Sequence, residues 1–179
     1  MVKRIVVNLE EIEGMLYFWQ ATKDKEKVSE VYLHELAEAS GLSASYDGEF
    51  TRESVRKVLS AITNRERLSS TTPKEGRFWN NNMWMMEDLS YTDAMAKPLK
   101  RLNLDGLVEE LQGQGKDAGA EELEVRFSPL SVDEYLISGN RLIINFFRVR
   151  PSDEFDSGAT IEGKEIKAYI KEKLVELLK

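Results

Sequence analysis

A glycine-rich stretch at residues 112–121 separates two parts of the sequence that differ in pattern. Its letters QGQGKDAGA, residues 112–120, include three glycines and no large apolar side chain, which is typical of a flexible connector. Before it, apolar side chains recur with the spacing of an α-helix. After it, apolar and polar side chains alternate as they do in β-strands. We therefore expect a single α+β domain over residues 1–179, in which a helix-rich part at 1–111 packs with a small antiparallel sheet and a C-terminal amphipathic helix at 122–179.

Capping residues and apolar spacing predict the helices of the first part. Asn8 can cap a helix over residues 9–21, and Thr51 can cap one that runs to Asn64. The helix after Thr51 carries a single apolar stripe at i, i+3, i+4 and i+7, formed by Val55, Val58, Leu59 and Ile62. We expect further helices over residues 26–40, from residue 92 or 93 onward, and over 107–111.

Alternation predicts strands mostly in the second part. β-Branched residues at 4–7 suggest one short early strand. Residues 122–127 alternate apolar and charged side chains, and residues 132–137 and 141–149 flank the turn residues Ser138, Gly139 and Asn140 as in a hairpin. Residues 142–144 are apolar on both faces, which is typical of a strand near the middle of a sheet. Residues 164–178 are expected to form the closing amphipathic helix.

Composition excludes several classes of protein. The chain has 179 residues, no cysteine, and 25 basic against 32 acidic side chains, for a net charge of −7. Without cysteine it forms no disulfide, zinc ribbon or iron–sulfur site. No stretch reaches the roughly 18 consecutive apolar residues that cross a bilayer, and acidic side chains interrupt the early apolar run, unlike in a signal peptide. We expect a cytoplasmic protein with no membrane partner.

Residues for catalysis do not form a recognisable motif. His34 is the only histidine, and it lies in a row with Glu30 and Glu38 at i, i+4 and i+8, which is either a solvated charged face or part of a metal site. Carboxylates can also pair, for example Asp47 with Glu49. Neither the dinucleotide-binding nor the phosphate-binding glycine motif is present. We assign no catalytic residue, cofactor or metal ligand, and a metal-dependent hydrolase that uses carboxylates is a third hypothesis.

Positive charge is concentrated at residues 51–77, which we call the basic island. This stretch has seven basic and three acidic residues, a local charge of +4 in an acidic chain. Its basic side chains either pair with carboxylates of the same protein or bind a polyanion such as nucleic acid. The candidate polyanion-binding residues are Arg52, Arg56, Lys57, Arg65, Arg67 and Arg77.

Two segments in this region resemble a helix-turn-helix. LAEASGLS, residues 36–43, is similar to the first helix and turn of that motif, and TRESVRKVLSAI, residues 51–62, is similar to its recognition helix. The resemblance implies that Arg52, Arg56 and Lys57 would contact DNA. The sequence departs from the motif at residues 44–50, which lengthen the turn.

Tryptophan and methionine are concentrated at residues 78–86, FWNNNMWMM, which contain two of the three tryptophans. The three successive asparagines favour a surface loop with local hydrogen bonds. Exposed aromatic and methionine side chains would suit a protein partner or, beside Arg77, stacking of nucleic-acid bases, whereas buried ones would be core. The candidate partner-binding residues are Phe78, Trp79, Met83, Trp84 and Met85.

Three functions are therefore compared. The first is a non-catalytic cytoplasmic interaction protein that self-associates into a homo-oligomer through apolar surface. The second is binding of nucleic acid or another polyanion by the basic island. The third is the hydrolase.

Overall fold

The computed structural model describes residues 1–113 and 121–179. The described residues form eight α-helices: α1 (Glu10–Lys23), α2 (Glu30–Ala37), α3 (Ser40–Ser43), α4 (Arg52–Thr63), α5 (Pro73–Glu87), α6 (Leu89–Lys100), α7 (Asp105–Gln112) and α8 (Ile166–Leu177). They also form seven strands: β1 (Arg4–Asn8), β2 (Glu122–Ser128), β3 (Tyr135–Ser138), β4 (Arg141–Asn145), β5 (Val149–Pro151), β6 (Ala159–Ile161) and β7 (Lys164–Glu165). The expected α+β class and the C-terminal helix are confirmed.

The larger sheet has the strand order β1-β2-β4-β3. Strand β2 pairs parallel with β1, with Arg4 opposite Glu122, and parallel with β4, with Glu124 opposite Arg141. The hairpin of β3 and β4 is antiparallel, as expected, and so is the second sheet, β5-β6-β7. The parallel pairs were not expected. They require long crossover connections, and helices α1–α7 supply the crossover between β1 and β2.

Local sequence explains the helix that the pattern predicted best. Thr51 caps α4 by accepting a hydrogen bond from the backbone N–H of Ser54, whose hydroxyl in turn accepts from the N–H of Thr51. The apolar stripe of α4 is buried as expected: Val55, Val58, Leu59 and Ile62. The capping contacts and the buried stripe both agree with the predicted helix, so its predicted boundaries are confirmed.

Helix α2 is shorter than expected. Ser29 caps it through a hydrogen bond from the backbone N–H of Tyr32, so helix begins at Glu30 and not at residue 26. The helix ends at Ala37, and a separate turn, α3, begins at Ser40. Leu33 of α2 is buried, whereas Val31 is exposed to solvent.

A buried ion pair joins the two parts of the chain near the parallel strands. Glu11 of α1 accepts hydrogen bonds from the backbone N–H groups of Gly41 and Leu42, at 3.1 and 2.9 Å, and thereby satisfies the first turn of α3. It also accepts from the guanidinium of Arg126 on β2. Burial alone would lower the pKa of Arg126, but hydrogen bonds to Glu11 and Glu124 raise it above the usual range.

The core holds buried apolar side chains from both parts of the described chain. Trp19 of α1 is fully buried, stacks on Phe146 with ring centroids 5.9 Å apart, and donates its indole N–H to Asn82. The predicted connector at 112–121 falls largely on residues 114–120, which lie outside the described residues. Within residues 1–113 and 121–179, none of the helices has the length and apolar character needed to cross a membrane.

Candidate functional site

Helix α5 provides one wall of a pocket, and it replaces the surface loop expected at residues 78–86. Thr72 and Glu75 form a capping box, and Pro73 occupies the first turn, where its missing N–H costs no helical hydrogen bond. The asparagine amides do not force a loop. Asn82 donates to the carbonyl of Phe78 at 2.8 Å and accepts from Trp19, so its amide is satisfied inside a helix.

Spacing along α5 sorts its side chains onto two faces. Arg77, Asn81 and Trp84 are at i, i+4 and i+7, so they lie on one side of the helix, and all three line the pocket. Phe78 and Met85, also seven residues apart, are buried in the core. The helix therefore presents a guanidinium, an amide and an indole to the same cavity.

The chain after β4 forms the opposite wall. Asn145 ends β4; its side chain donates to the carbonyl of Asp133 and accepts from the N–H of Phe147, which holds a short 3-10 turn at Phe146–Arg148. Strand β5 follows at once, and Val149 points into the core. Arg148, the last residue of the 3-10 turn, and Arg150, on β5, flank Val149 in the sequence, and both line the pocket.

We call this cavity the arginine pocket; its volume is about 510 Å³. A volume of this size suits a small-molecule ligand. Three guanidinium groups and one carboxylate line it, so its local charge is positive in a chain with a net charge of −7. The lining residues are Arg77, Asn81, Trp84, Asn145, Phe147, Arg148, Arg150, Glu162 and Gly163.

Two of the three arginines are fixed by the protein itself. Arg150 donates from Nη1 to the carbonyls of Phe147 and Val149, at 2.7 and 2.8 Å, and its guanidinium carbon lies 4.9 Å from the centroid of the Trp84 ring. Arg148 donates to Glu162 at 2.9 Å and to the carbonyl of Val132 at 3.0 Å. Both guanidinium groups are therefore held in place before a ligand binds. This lowers the entropy cost of ordering these side chains when the ligand binds.

Arg77 is the third arginine, and it is exposed. Within residues 1–113 and 121–179, no carboxylate forms an ion pair with it. Its guanidinium donates no hydrogen bond to the described residues, so these donors can bind an anion in the pocket.

The residues predicted to bind a protein partner are distributed between core and surface. Phe78 and Met85 are buried, and Trp79 and Met83 are half-buried and pack against the core. Trp84 is 44% exposed and is the member of this set that lines the arginine pocket. Partner binding through these residues, self-association and a cytoplasmic location stay predictions.

Most of the basic island pairs with nearby carboxylates or carbonyls. Arg56 bonds Glu53 and Glu30, Arg52 lies 3.1 Å from Glu38, and the ammonium of Lys57 lies 3.0 Å from Glu75. Arg65 donates to the carbonyl of Thr22, and Lys74 pairs with Asp47. Arg67 and Arg77 remain exposed without an ion pair among the described residues, and Arg77 alone of the two lines the arginine pocket.

The helix-turn-helix resemblance covers α2, α3 and α4. Helices α2 and α4 pack together, and twelve residues, 39–50, which include the short α3, lie between Glu38, the C-cap of α2, and Thr51, the N-cap of α4. The outward arginines of α4 reach back to α2: Arg52 pairs with Glu38 and Arg56 with Glu30. These side chains engage carboxylates at the positions where the resemblance implies contact with DNA.

The row of Glu30, His34 and Glu38 lies on an exposed face of α2 and its end. Glu30 accepts from Ser60 at 3.0 Å and from Arg56, so its carboxylate already has partners. Among the described residues, no group of three or more histidine, cysteine, aspartate or glutamate side chains is placed to hold a metal ion.

Sequence reasoning singled out Trp84 and Arg77 but missed Asn145, Arg148, Arg150 and Glu162. One signal was present: in Arg148-Val149-Arg150 two arginines flank a valine, which predicts two guanidinium groups on one face of an extended segment. No signal in the sequence shows that this segment faces α5. Comparisons with protein-family models, curated proteins and solved structures return no match.

Proposed function

We propose that this chain is a binding protein for a small anionic ligand, which it takes up in the arginine pocket. The observation that carries the proposal is the convergence of Arg77, Arg148 and Arg150 on one cavity, with a single carboxylate, Glu162, among the lining residues. Guanidinium groups bind phosphate and carboxylate in pairs of parallel hydrogen bonds. The ligand is therefore one that bears a phosphate or a carboxylate.

Of the basic island, only Arg77 takes part in the proposed binding. The other basic residues of the island are not part of the binding surface. The arginines of α4 are already paired with Glu30, Glu38 and Glu53. A net charge of −7 also opposes the attraction of a long polyanion to the surface. A pocket of about 510 Å³ fits a compact anion better than a nucleic-acid duplex.

The test is isothermal titration calorimetry at low ionic strength with inorganic phosphate, sulfate, citrate and ribose 5-phosphate. We expect at least one of them to bind, and Arg77→Gln to weaken that binding about tenfold, since a charge-assisted hydrogen bond is lost. Arg67→Gln is the matched control, because Arg67 is also exposed but lies outside the pocket. Equal effects of the two variants, or no binding at all, would overturn the proposal.

Self-association is the second candidate, and one observation favours it. Trp84 and Tyr91 are 44% and 37% exposed, and their rings lie 6.4 Å apart, centroid to centroid, so they form an aromatic pair at the surface. Sedimentation equilibrium of the native chain and of Tyr91→Ala tests this role. Tyr91 does not line the arginine pocket, so a dimer that dissociates on its removal supports self-association separately from ligand binding. A native mass of one chain would refute it.

A further inference from the structure

We infer that the ligand of the arginine pocket is a mononucleotide, whose phosphate binds the arginines and whose base packs against Trp84. This inference rests on the proposed function and makes it more specific. Four kinds of group meet in the pocket: free guanidinium donors, an exposed indole, an amide oxygen and a carboxylate. A nucleotide has a complementary group for each, as follows.

The phosphate site lies at Arg77 and Arg150. Arg150 uses Nη1 for two backbone carbonyls, and neither Nε nor Nη2 has a partner among the described residues. Arg77 is exposed and has no ion pair among the described residues either, so its guanidinium can turn toward the same ligand. Since Arg150 is already fixed on the ring of Trp84, a phosphate bound to it would lie close to the indole.

The base site is the Trp84 indole. Trp84 is 44% exposed although the Arg150 guanidinium and the Tyr91 ring both lie beside its indole. Nucleic-acid bases pack on aromatic and guanidinium planes, whatever the identity of the base. A ligand with phosphate alone would leave this apolar surface in water.

Two hydrogen-bond acceptors in the pocket can accept from donors on the ligand. The amide N–H of Asn81 donates to the carbonyl of Ser131 at 3.1 Å, which orients the amide, and its oxygen has no donor among the described residues. Glu162 accepts a hydrogen bond from Arg148 and has further acceptor capacity. Phosphate, sulfate and citrate at neutral pH offer these oxygens few donors, whereas the amino group of a base and the hydroxyls of ribose provide them.

The surroundings favour a single nucleotide over a strand. Glu87 follows Trp84 by three residues on α5, so it lies one turn further along the same side of the helix, and Asp88 comes next. These carboxylates would repel the phosphates of neighbouring nucleotides. The volume of about 510 Å³ also suits one nucleotide.

The experiment compares adenosine 5′-monophosphate, cytidine 5′-monophosphate, ribose 5-phosphate, inorganic phosphate and a short single-stranded oligonucleotide by calorimetry at one low ionic strength. We expect the two mononucleotides to bind at least about tenfold more tightly than ribose 5-phosphate, because base stacking on an aromatic ring adds to the phosphate contacts. Trp84→Ala should remove this difference while ribose 5-phosphate still binds, and Trp84→Phe should restore part of it. Tyr17→Ala removes an exposed aromatic ring elsewhere and is the control.

Tryptophan fluorescence gives a second measurement. Trp19 is buried and Trp79 is half-buried, so a nucleotide that packs on Trp84 should quench the exposed fraction of the emission, and Trp84→Phe should abolish this quenching. If ribose 5-phosphate binds as tightly as the mononucleotides, the nucleotide inference is wrong and the proposed function stands. If the oligonucleotide binds much more tightly than either mononucleotide, the ligand is a strand and the inference is again wrong. If no anion binds, the proposed function fails with it.

Discussion

Glu11 and Arg126 are 115 residues apart in the sequence, and the guanidinium Nη1 of Arg126 donates a hydrogen bond of 2.9 Å to the carboxylate of Glu11. The side chains are 3% and 8% exposed, so both charges are removed from water. The same carboxylate caps α3 at Gly41 and Leu42. One glutamate therefore links α1, α3 and β2.

Glu11→Ala should destabilise the protein by about 3–5 kcal/mol, because it leaves the buried Arg126 charge with one carboxylate fewer and two N–H groups without an acceptor. Urea denaturation measures the free energy of unfolding. Glu13→Ala, in the same first turn but exposed, should change it by less than about 0.5 kcal/mol. A similar loss in both variants would show that the buried pair contributes little.

Gly41→Ala should also destabilise the protein, because a Cβ at residue 41 would overlap the hydroxyl oxygen of Ser128 and lie 2.6 Å from the Glu11 carboxylate. The opposite result is expected at Gly76, where a Cβ meets nothing within 4 Å. Since Gly76 lies inside α5, Gly76→Ala should stabilise the protein by about 0.5–1 kcal/mol. Thermal denaturation of the two alanine variants measures both effects, and a stabilised Gly41→Ala variant would contradict the close packing.

Local signals predicted the helices better than they predicted the sheet. The Thr51 cap and the stripe from Val55 to Ile62 act within one helix, so the sequence contains all the information needed for α4. The parallel pairing of β1 with β2 depends on residues more than a hundred positions apart, and no local pattern specifies it. Helix α5 was missed because the run of asparagines favoured a loop and the capping box of Thr72 and Glu75 was not recognised.

The candidate site could be predicted only in pieces. Trp84 was noticed for aromatic density and Arg77 for charge, and only the hypothesis of base stacking joined them. The structure places both on one face of α5. Their partners Arg148 and Arg150 come from the chain after β4. Which segment faces which helix is decided by packing of the whole core, so sequence patterns did not join the two groups.

Reversing the charge of the α4 arginines should affect stability slightly and pocket binding not at all. Arg52→Glu with Arg56→Glu removes exposed ion pairs to Glu38, Glu30 and Glu53 and places like charges beside them, which should cost about 1–2 kcal/mol. Urea denaturation and phosphate calorimetry measure the two quantities. The polyanion hypothesis for α4 would gain support if the native chain bound an oligonucleotide in a salt-dependent way and this variant did not.

Glu75 should make the protein more sensitive to acid. Burial raises the pKa of its carboxyl, but hydrogen bonds from Ser54, from the N–H of Thr72 and from Lys57 lower the pKa below the usual 4.5. Because the folded pKa is the lower one, the unfolded chain binds the proton first as pH falls. The stabilisation by Glu75 is therefore complete well above pH 4.5 and is lost as pH falls through the folded pKa.

Glu75→Gln removes this titration and keeps a side chain that suits a capping box. The difference in free energy of unfolding between the native chain and Glu75→Gln should be largest near pH 7 and should shrink as pH falls toward 3, measured by urea denaturation at each pH. Glu66→Gln, at an exposed carboxylate without an ion pair in the described residues, is the matched control. A constant difference for Glu75→Gln would contradict the assignment.

The parallel sheet also affects how the chain folds. Pairing of β1 with β2 brings Arg4 beside Glu122, 118 positions away, so a very long loop must close before these two strands can align. Chains dominated by such distant contacts fold slowly. The arginine pocket has the same property, because α5 and the segment after β4 meet only when both parts have docked. In a refolding experiment, helical circular dichroism should therefore recover before the ability to bind an anion.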